Sequence, residues 1–196
     1  MINMNEAVLE RLFKDARSQN GWKPDPVSDH ELREAYEIAK WGPTSMNTQP
    51  MRLVFLRSSE AKDRLKPALA PTNVEKVMTA PVVAVIAHDT EFYTQLPKTF
   101  PHNPNASAYF TGNPAAIEPT AFRNGSLQAA YFMLALRAVG LDVGPMSGFD
   151  PVKVNAEFFD GSPWRVNLIC GIGHGDSTKV FDRSPRLTFD EVTRTL

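Results

Sequence analysis

The stretch that most limits how this chain can fold is "EPTAFRNGSLQAAYFMLALRAVG", a helix predicted from Glu118 to Val139. Its middle, "LQAAYFMLALRAVG", is apolar nearly all round, and a helix of that kind is covered on most of its sides. In a chain of 196 residues part of that cover is often a second subunit. A second apolar run, "PVVAVIA" at 81–87, shows no alternation and reads as a strand buried on both faces. With 42% hydrophobic residues, the chain has material for one ordinary core, and no linker divides it, so residues 1–196 are expected to form a single domain.

The remaining elements follow by period and punctuation. Residues 5–18 place Val8, Leu9, Leu12, Phe13 and Ala16 on one helical stripe. Ser28-Asp29-His30-Glu31 is a capping-box pattern that opens a second helix through Leu32, Ala35, Tyr36 and Ala39. Gly42-Pro43 reads as its stop. Then come a strand "MRLVFL", a helix near 59–69, a short helix "NVEKVMTA", and the strand at 81–87. After the long helix stand an extended piece "LDVGPMSGF", a helix near 151–159 and a strand "RVNLICGIG". Helices alternating with apolar strands predict a layered α/β or α+β sandwich.

Several functions are disfavoured. A net charge of −1 creates no field to draw in nucleic acid or an anionic membrane, and no apolar stretch approaches the roughly 20 residues of a bilayer span. The amphipathic, acidic start is unlike a signal peptide, and the single cysteine, Cys170, lies in "VNLIC" as a packed thiol; both point to a soluble, cytoplasmic protein. "GIGHGD" at 171–176 misses the dinucleotide fingerprint, because its third glycine comes one residue early and no helix follows. "GPMSG" lacks the G-x-S-x-G spacing of a nucleophile elbow, the four histidines are scattered without metal spacing, and there is no Walker A loop. No metal site and no side-chain nucleophile are expected. An enzyme with neither borrows its chemistry from a cofactor.

Polar residues cluster at several points. "GPTSMNTQP" puts Thr44, Ser45, Asn47, Thr48 and Gln49 between a helix and a strand, as turn chemistry or as a loop around a flat polar ligand. Arg17 and Ser18, read as the end of the first helix, and Arg183 and Arg186 in the tail are either solvated or a grip for phosphate, which the guanidinium fork suits. Asn73 and Lys76, three apart, are either a capping Asn and a solvated Lys or present an amide and an ammonium to one ligand edge. Residues 97–119, rich in Pro and Asn and carrying Phe100, Tyr109 and Phe110, are either a surface excursion or a lid over a flat ring.

Taken in order, "ARSQNGW" (16–22), "GPTSMNTQP" (42–50), "NVEKVMTAPVVAVIA" (73–87), "GPMSGFD" (144–150) and "RSPRLTFDEV" (183–192) resemble the flavin-dependent nitroreductase family. The resemblance is closer to the branch that contains the malonic semialdehyde reductase of pyrimidine breakdown. It covers nearly the whole chain. It implies an α+β three-layer sandwich, a central mixed β-sheet flanked by helices, in an interlocked homodimer with FMN at the subunit interface. It also implies the residues' roles. Arg17, Ser18 and Gln19, with Arg183 and Arg186, approach the ribityl phosphate. Asn73 and Lys76 face the pyrimidine edge, Lys76 offsetting charge on the reduced ring. Pro43, Thr44, Ser45 and Asn47 come from the partner chain, and Pro145, Met146, Ser147 and Gly148 approach the ring near N5. The activity implied is ping-pong hydride transfer from NADH or NADPH through flavin N5 to a small aldehyde, malonic semialdehyde becoming 3-hydroxypropionate, with no side-chain general acid. The wider family implies nitroaromatics or quinones. A flavin-binding module without turnover and a nicotinamide-only dehydrogenase are the rival readings. The sequence departs from many members in two places: Asn20-Gly21-Trp22 stands where they have a second basic residue, and Ser147 where they have Glu.

Overall fold

The computed structural model describes residues 5–196. The chain opens with α1 (Glu6–Leu9), continued by a π-helical turn over Glu10–Lys14. The helix therefore ends before Arg17 and Ser18, which lie in an extended segment. The cause is pairing: Gln19 N–H donates to Val143 O at 3.0 Å, and Ser18 bridges Val143 in parallel sense. α2 (Asp29–Ala39) starts with the expected reciprocal capping box. Glu31 N–H donates to Ser28 Oγ at 3.2 Å, and Ser28 N–H donates to Glu31 Oε2 at 2.7 Å. Gly42 follows α2 as expected of a stop, and it also makes room: a Cβ there would lie 2.0 Å from the Tyr131 ring, so only glycine lets the ring sit this close.

β1 (Met51–Leu56), α3 (Ser59–Leu65), α4 (Pro71–Thr79) and β2 (Val82–Asp89) follow, then α5 (Leu96–Thr99) and α6 (Pro114–Ala138). β3 (Asp142–Met146), α7 (Pro151–Phe158), β4 (Trp164–Gly173) and α8 (Phe189–Val192) complete the chain. The four strands are ordered β1-β2-β4-β3, and every strand pair is antiparallel. This corrects the expected mixed sheet; the only parallel pairing among the described residues is the isolated bridge at Ser18.

All eight residues of β2 are buried, and its side chains divide by parity. Val82, Ala84 and Ile86 join the core under α2 and α6, while Val83, Val85 and Ala87 join the core under α3, α4 and α7. On β4 the parity switches at Asn167. The register runs Ile86↔Leu168 and then Ala87↔Val166, so Asn167 is the extra residue of a bulge and Val166 turns to the α7 side. Asn167 instead reaches Ser126 Oγ of α6 at 3.0 Å. Cys170 is fully buried, and burial pushes its thiol up to about 12, in keeping with a packed cysteine.

The region 97–119 is folded, against the expectation of a loop. α6 begins at Pro114, where a missing N–H costs nothing in the first turn. Phe92, Leu96, Ala106, Phe110 and Ala121 form a satellite core of their own, the Phe92 and Phe110 rings meeting edge to face at 4.9 Å.

His88, on β2, lies under α6 with its Nδ1 facing no hydrogen-bond partner and the Phe122 ring edge-on at 5.8 Å. Burial lowers its pKa below the usual 6.5; Glu118 opposes the shift, Arg165 reinforces it and Asp89 opposes it. The unfolded chain therefore binds this proton more readily, so the stability held in neutral His88 is complete above about pH 6.5 and is lost as pH falls. The lowered carboxylates, Glu31 and Glu191 among them, lose their contribution only below about pH 4.5. Urea midpoints are expected to fall between pH 7.5 and 5.5 in the wild type, and to fall less in His88→Gln, which carries no titrating ring.

Candidate cofactor site

The extended segment 17–22 lies against the end of the sheet because glycines make room for it. A Cβ on Gly144 would lie 2.6 Å from Gln19 O, one on Gly171 2.6 Å from the Trp22 ring, and one on Gly173 3.0 Å from the same ring. A Cβ on Gly175 would meet the Gln19 side chain at 2.2 Å. The glycines of "GIGHGD" are thus a seat for Gln19 and Trp22. Gln19 is itself buried against Gly175, so its side chain is not among those that line the cavity next to it.

That cavity has a volume of about 350 Å³ and is walled by Arg17, Ser18, Asn20, Lys76, Phe181, Asp182, Arg183, Ser184 and Arg186. Four cationic side chains face it with one carboxylate. None of the four forms an ion pair among the described residues; the guanidiniums lean on backbone carbonyls instead. Arg17 donates to Phe181 O, Arg183 to Ala16 O at 3.2 Å, and Arg186 to Ser184 O at 2.8 Å. Since each guanidinium has five N–H donors, most remain available. Clustered cations held this way favour an anion, and guanidinium forks suit a phosphate.

Lys76 reaches the cavity from α4. Asn73, one turn earlier, is not the helix cap, since α4 begins at Pro71, and it is buried. Its side-chain amide donates to Gly148 O at 3.0 Å, and Ala70 N–H donates to the same oxygen at 3.0 Å. This ties the turn after β3 to the start of α4. Pro145 and Ser147 are exposed there, whereas the Met146 side chain is buried in the core under α4 and α7, which leaves only its backbone to meet a ligand.

The loop at 43–49 lies elsewhere in the chain. Asn124 Oδ1 of α6 accepts from Ser45 N–H at 2.8 Å, Asn47 donates to Thr99 O at 2.7 Å, and the Tyr131 hydroxyl donates to Pro43 O at 3.1 Å. Thr44 Oγ1 accepts from Gln49 N–H at 3.3 Å, so part of this polar cluster is turn chemistry. Met46, Asn47 and Gln49 hold φ of 50°, 50° and 44°, a left-handed backbone that non-glycine residues adopt at a cost and that gathers at functional sites. Of the three aromatics read as a lid, Phe110 is 2% exposed and belongs to the satellite core, so it is not free to cover a ring. Phe100 packs against that core and the His102 ring, and Tyr109 is 65% exposed.

The structure therefore gathers Arg17, Ser18, Lys76, Arg183 and Arg186, with Asn73 and Gly148 a turn away. Pro43, Thr44, Ser45 and Asn47 stand with α5 and α6. Sequence reasoning missed Asn20, Phe181, Asp182 and Ser184 as wall residues, and Trp22; the adjacency of each to Arg17 or Arg183 was the one available signal.

A protein-family model described as "Nitroreductase family" matches residues 14–174, and the chain belongs to that family. It is 55% identical over 186 residues to a Cupriavidus pinatubonensis protein provisionally named NADH dehydrogenase/NAD(P)H nitroreductase, across 94% of this chain and 95% of that one. Among solved structures it resembles the Bacillus subtilis nitroreductase ydfN, with TM-score 0.87 and 23% identity over 98% of this chain and 100% of that one. It also resembles an Exiguobacterium sibiricum nitroreductase solved in complex with FMN, with TM-score 0.84 and 21% identity over 100% of this chain and 99% of that one.

Gly171→Ala drives a methyl group into the indole of Trp22. Overpacking of this kind typically costs about 1–3 kcal/mol. A lower urea midpoint and a shifted Trp fluorescence maximum are the expected readings.

Proposed function

We propose that the protein is an FMN-dependent NAD(P)H oxidoreductase that works as a cytoplasmic homodimer. The observation that carries this reading is the cavity walled by Arg17, Lys76, Arg183 and Arg186, four cations without carboxylate partners. A phosphate-bearing cofactor fits that donor set. The FMN of the Exiguobacterium structure and the name of the Cupriavidus relative support the choice of cofactor and of hydride donor.

When bound, FMN supplies a ring that accepts a hydride at N5 and yields it to a second substrate. The chain's own residues do the holding. Arg17, Arg183 and Arg186 grip the phosphate, with Ser18 beside them. Asn73, whose N–H donates to Gly148, has its carbonyl oxygen left to accept from the ring's N–H. Lys76 brings positive charge to the edge where negative charge accumulates on reduction, which eases hydride acceptance.

The dimer reading rests on uncovered apolar surface. Phe13, Ile38, Trp41, Phe122 and Leu127 are exposed, and an apolar cavity of about 250 Å³ opens between α2 and α6. The tail exposes Phe181, Leu187, Phe189 and Val192. A partner chain would cover these surfaces and bring Pro43, Thr44, Ser45 and Asn47 to the other protomer's ring. Tyr109 and Phe100 are then the aromatics that bound the acceptor.

For the acceptor we favour a small aldehyde, malonic semialdehyde reduced to 3-hydroxypropionate, on the ordered sequence resemblance. The name of the Cupriavidus relative favours a nitroaromatic as the second reading. Anaerobic reduction by NADPH or NADH followed by each acceptor in turn distinguishes them, because only a true acceptor restores the yellow colour at a catalytic rate. A protein that binds flavin yet is not bleached by either nucleotide is a binding module instead.

Arg17→Ala and Arg186→Ala each remove a charge-assisted bond, typically worth about 1.5–3 kcal/mol. FMN affinity is expected to fall roughly 10- to 100-fold for each, and nearly to vanish in the double variant. Unchanged flavin content in the double variant overturns the phosphate assignment.

A further inference from the structure

We propose that Trp22 is a positioning residue that sets the height of Lys76, and so tunes the bound flavin, without touching the cofactor. The proposal rests on the FMN reading above. The last carbonyls of a helix have no partner within it. In α4 one of these, Lys76 O, accepts the indole N–H of Trp22 at 3.0 Å. Just past the helix, the carbonyl of its cap residue, Ala80 O, accepts from Lys62 Nζ. At the other end Asn73 and Ala70 both donate to Gly148 O. α4 is thus held at both ends by groups on other elements.

The indole is itself fixed by the sheet. It lies in a hollow where Cβ atoms on Gly144, Gly171 and Gly173 would come within 3.3, 2.6 and 3.0 Å of it. Its N–H therefore holds the Lys76 carbonyl at a level set by β3 and β4. Phenylalanine would occupy much of the same hollow without that bond, so the indole nitrogen has a role separate from filling space. The segment that carries Trp22 also carries Arg17 and Ser18. The grip on the phosphate and the level of Lys76 are in this way referenced to one piece of backbone.

The test uses Trp22→Phe in the full-length, FMN-loaded protein. Its readouts are the midpoint potential of the bound flavin and the thermal midpoint of unfolding. If Lys76 loses its level, the preference for reduced over oxidised flavin is expected to weaken about three- to tenfold. That is a negative shift of roughly 15–30 mV for a two-electron couple. Lys76→Met should shift the potential in the same direction, and adding Trp22→Phe to it should shift it no further. A variant that melts earlier but keeps the wild-type potential shows that the ring only fills space and overturns the proposal, as does a shift that adds to that of Lys76→Met. A wild-type chain that binds no FMN overturns the cofactor reading as well. Should Trp22→Phe fail to fold, 3-benzothienylalanine at position 22, with sulfur in place of the N–H, removes the donor at constant shape and gives the same readings.

Discussion

β2 is the constraint on which the rest of the structure depends. A strand buried along all eight of its residues needs strands on both edges and an apolar layer on each face. Its backbone is satisfied by β1 and β4, and its alternate side chains are shared between the α2/α6 core and the α3/α4/α7 core. The bulge at Asn167 belongs to the same requirement. It lets one strand send Leu168 and Cys170 to one face and Val166 to the other.

The sheet ends in a seat of glycines, and there the fold turns into a site. Hydrogen bonding to Val143 ends the first helix and lays residues 17–22 across β3 and β4. That brings Arg17 to the point where the tail returns with Arg183 and Arg186. Holding four cations around one carboxylate, none of them ion-paired among the described residues, is unfavourable by mutual repulsion, and an anion relieves it. The backbone carbonyls of Ala16, Phe181 and Ser184 orient the guanidiniums without neutralising them.

The loop at 43–49 and the satellite core show a different economy. Hydrogen bonds to Asn124, Thr99 and Tyr131 hold the loop in a left-handed conformation at three non-glycine residues, so its shape is imposed from outside. Phe92, Phe110 and Ala121 supply the local rigidity beneath it.

From the sequence alone, apolar runs located the strands at 51–56 and 81–87 and the long helix, because hydrophobic pattern depends on neighbours along the chain. The capping box at Ser28 was readable for the same reason. The ordered motifs pointed to Arg17, Arg183, Arg186 and Lys76, and chemistry explained why such residues suit a phosphate. Where pattern failed, tertiary contact had intervened. The antiparallel order of the sheet, the early end of the first helix and the parity switch at Asn167 are set by strands distant in sequence. Phe110 and Met146 looked available to a ligand but are taken up by cores that no local window reveals. Gly42 read as a helix stop, and only the fold shows that it is also a packing space for Tyr131. The glycines of "GIGHGD" looked like a broken nucleotide motif, and only their meeting with Trp22, some 150 residues earlier in the chain, shows what they accommodate. Sequence determines which side chains are present and which faces they share; only the folded chain decides which of them remain free to bind.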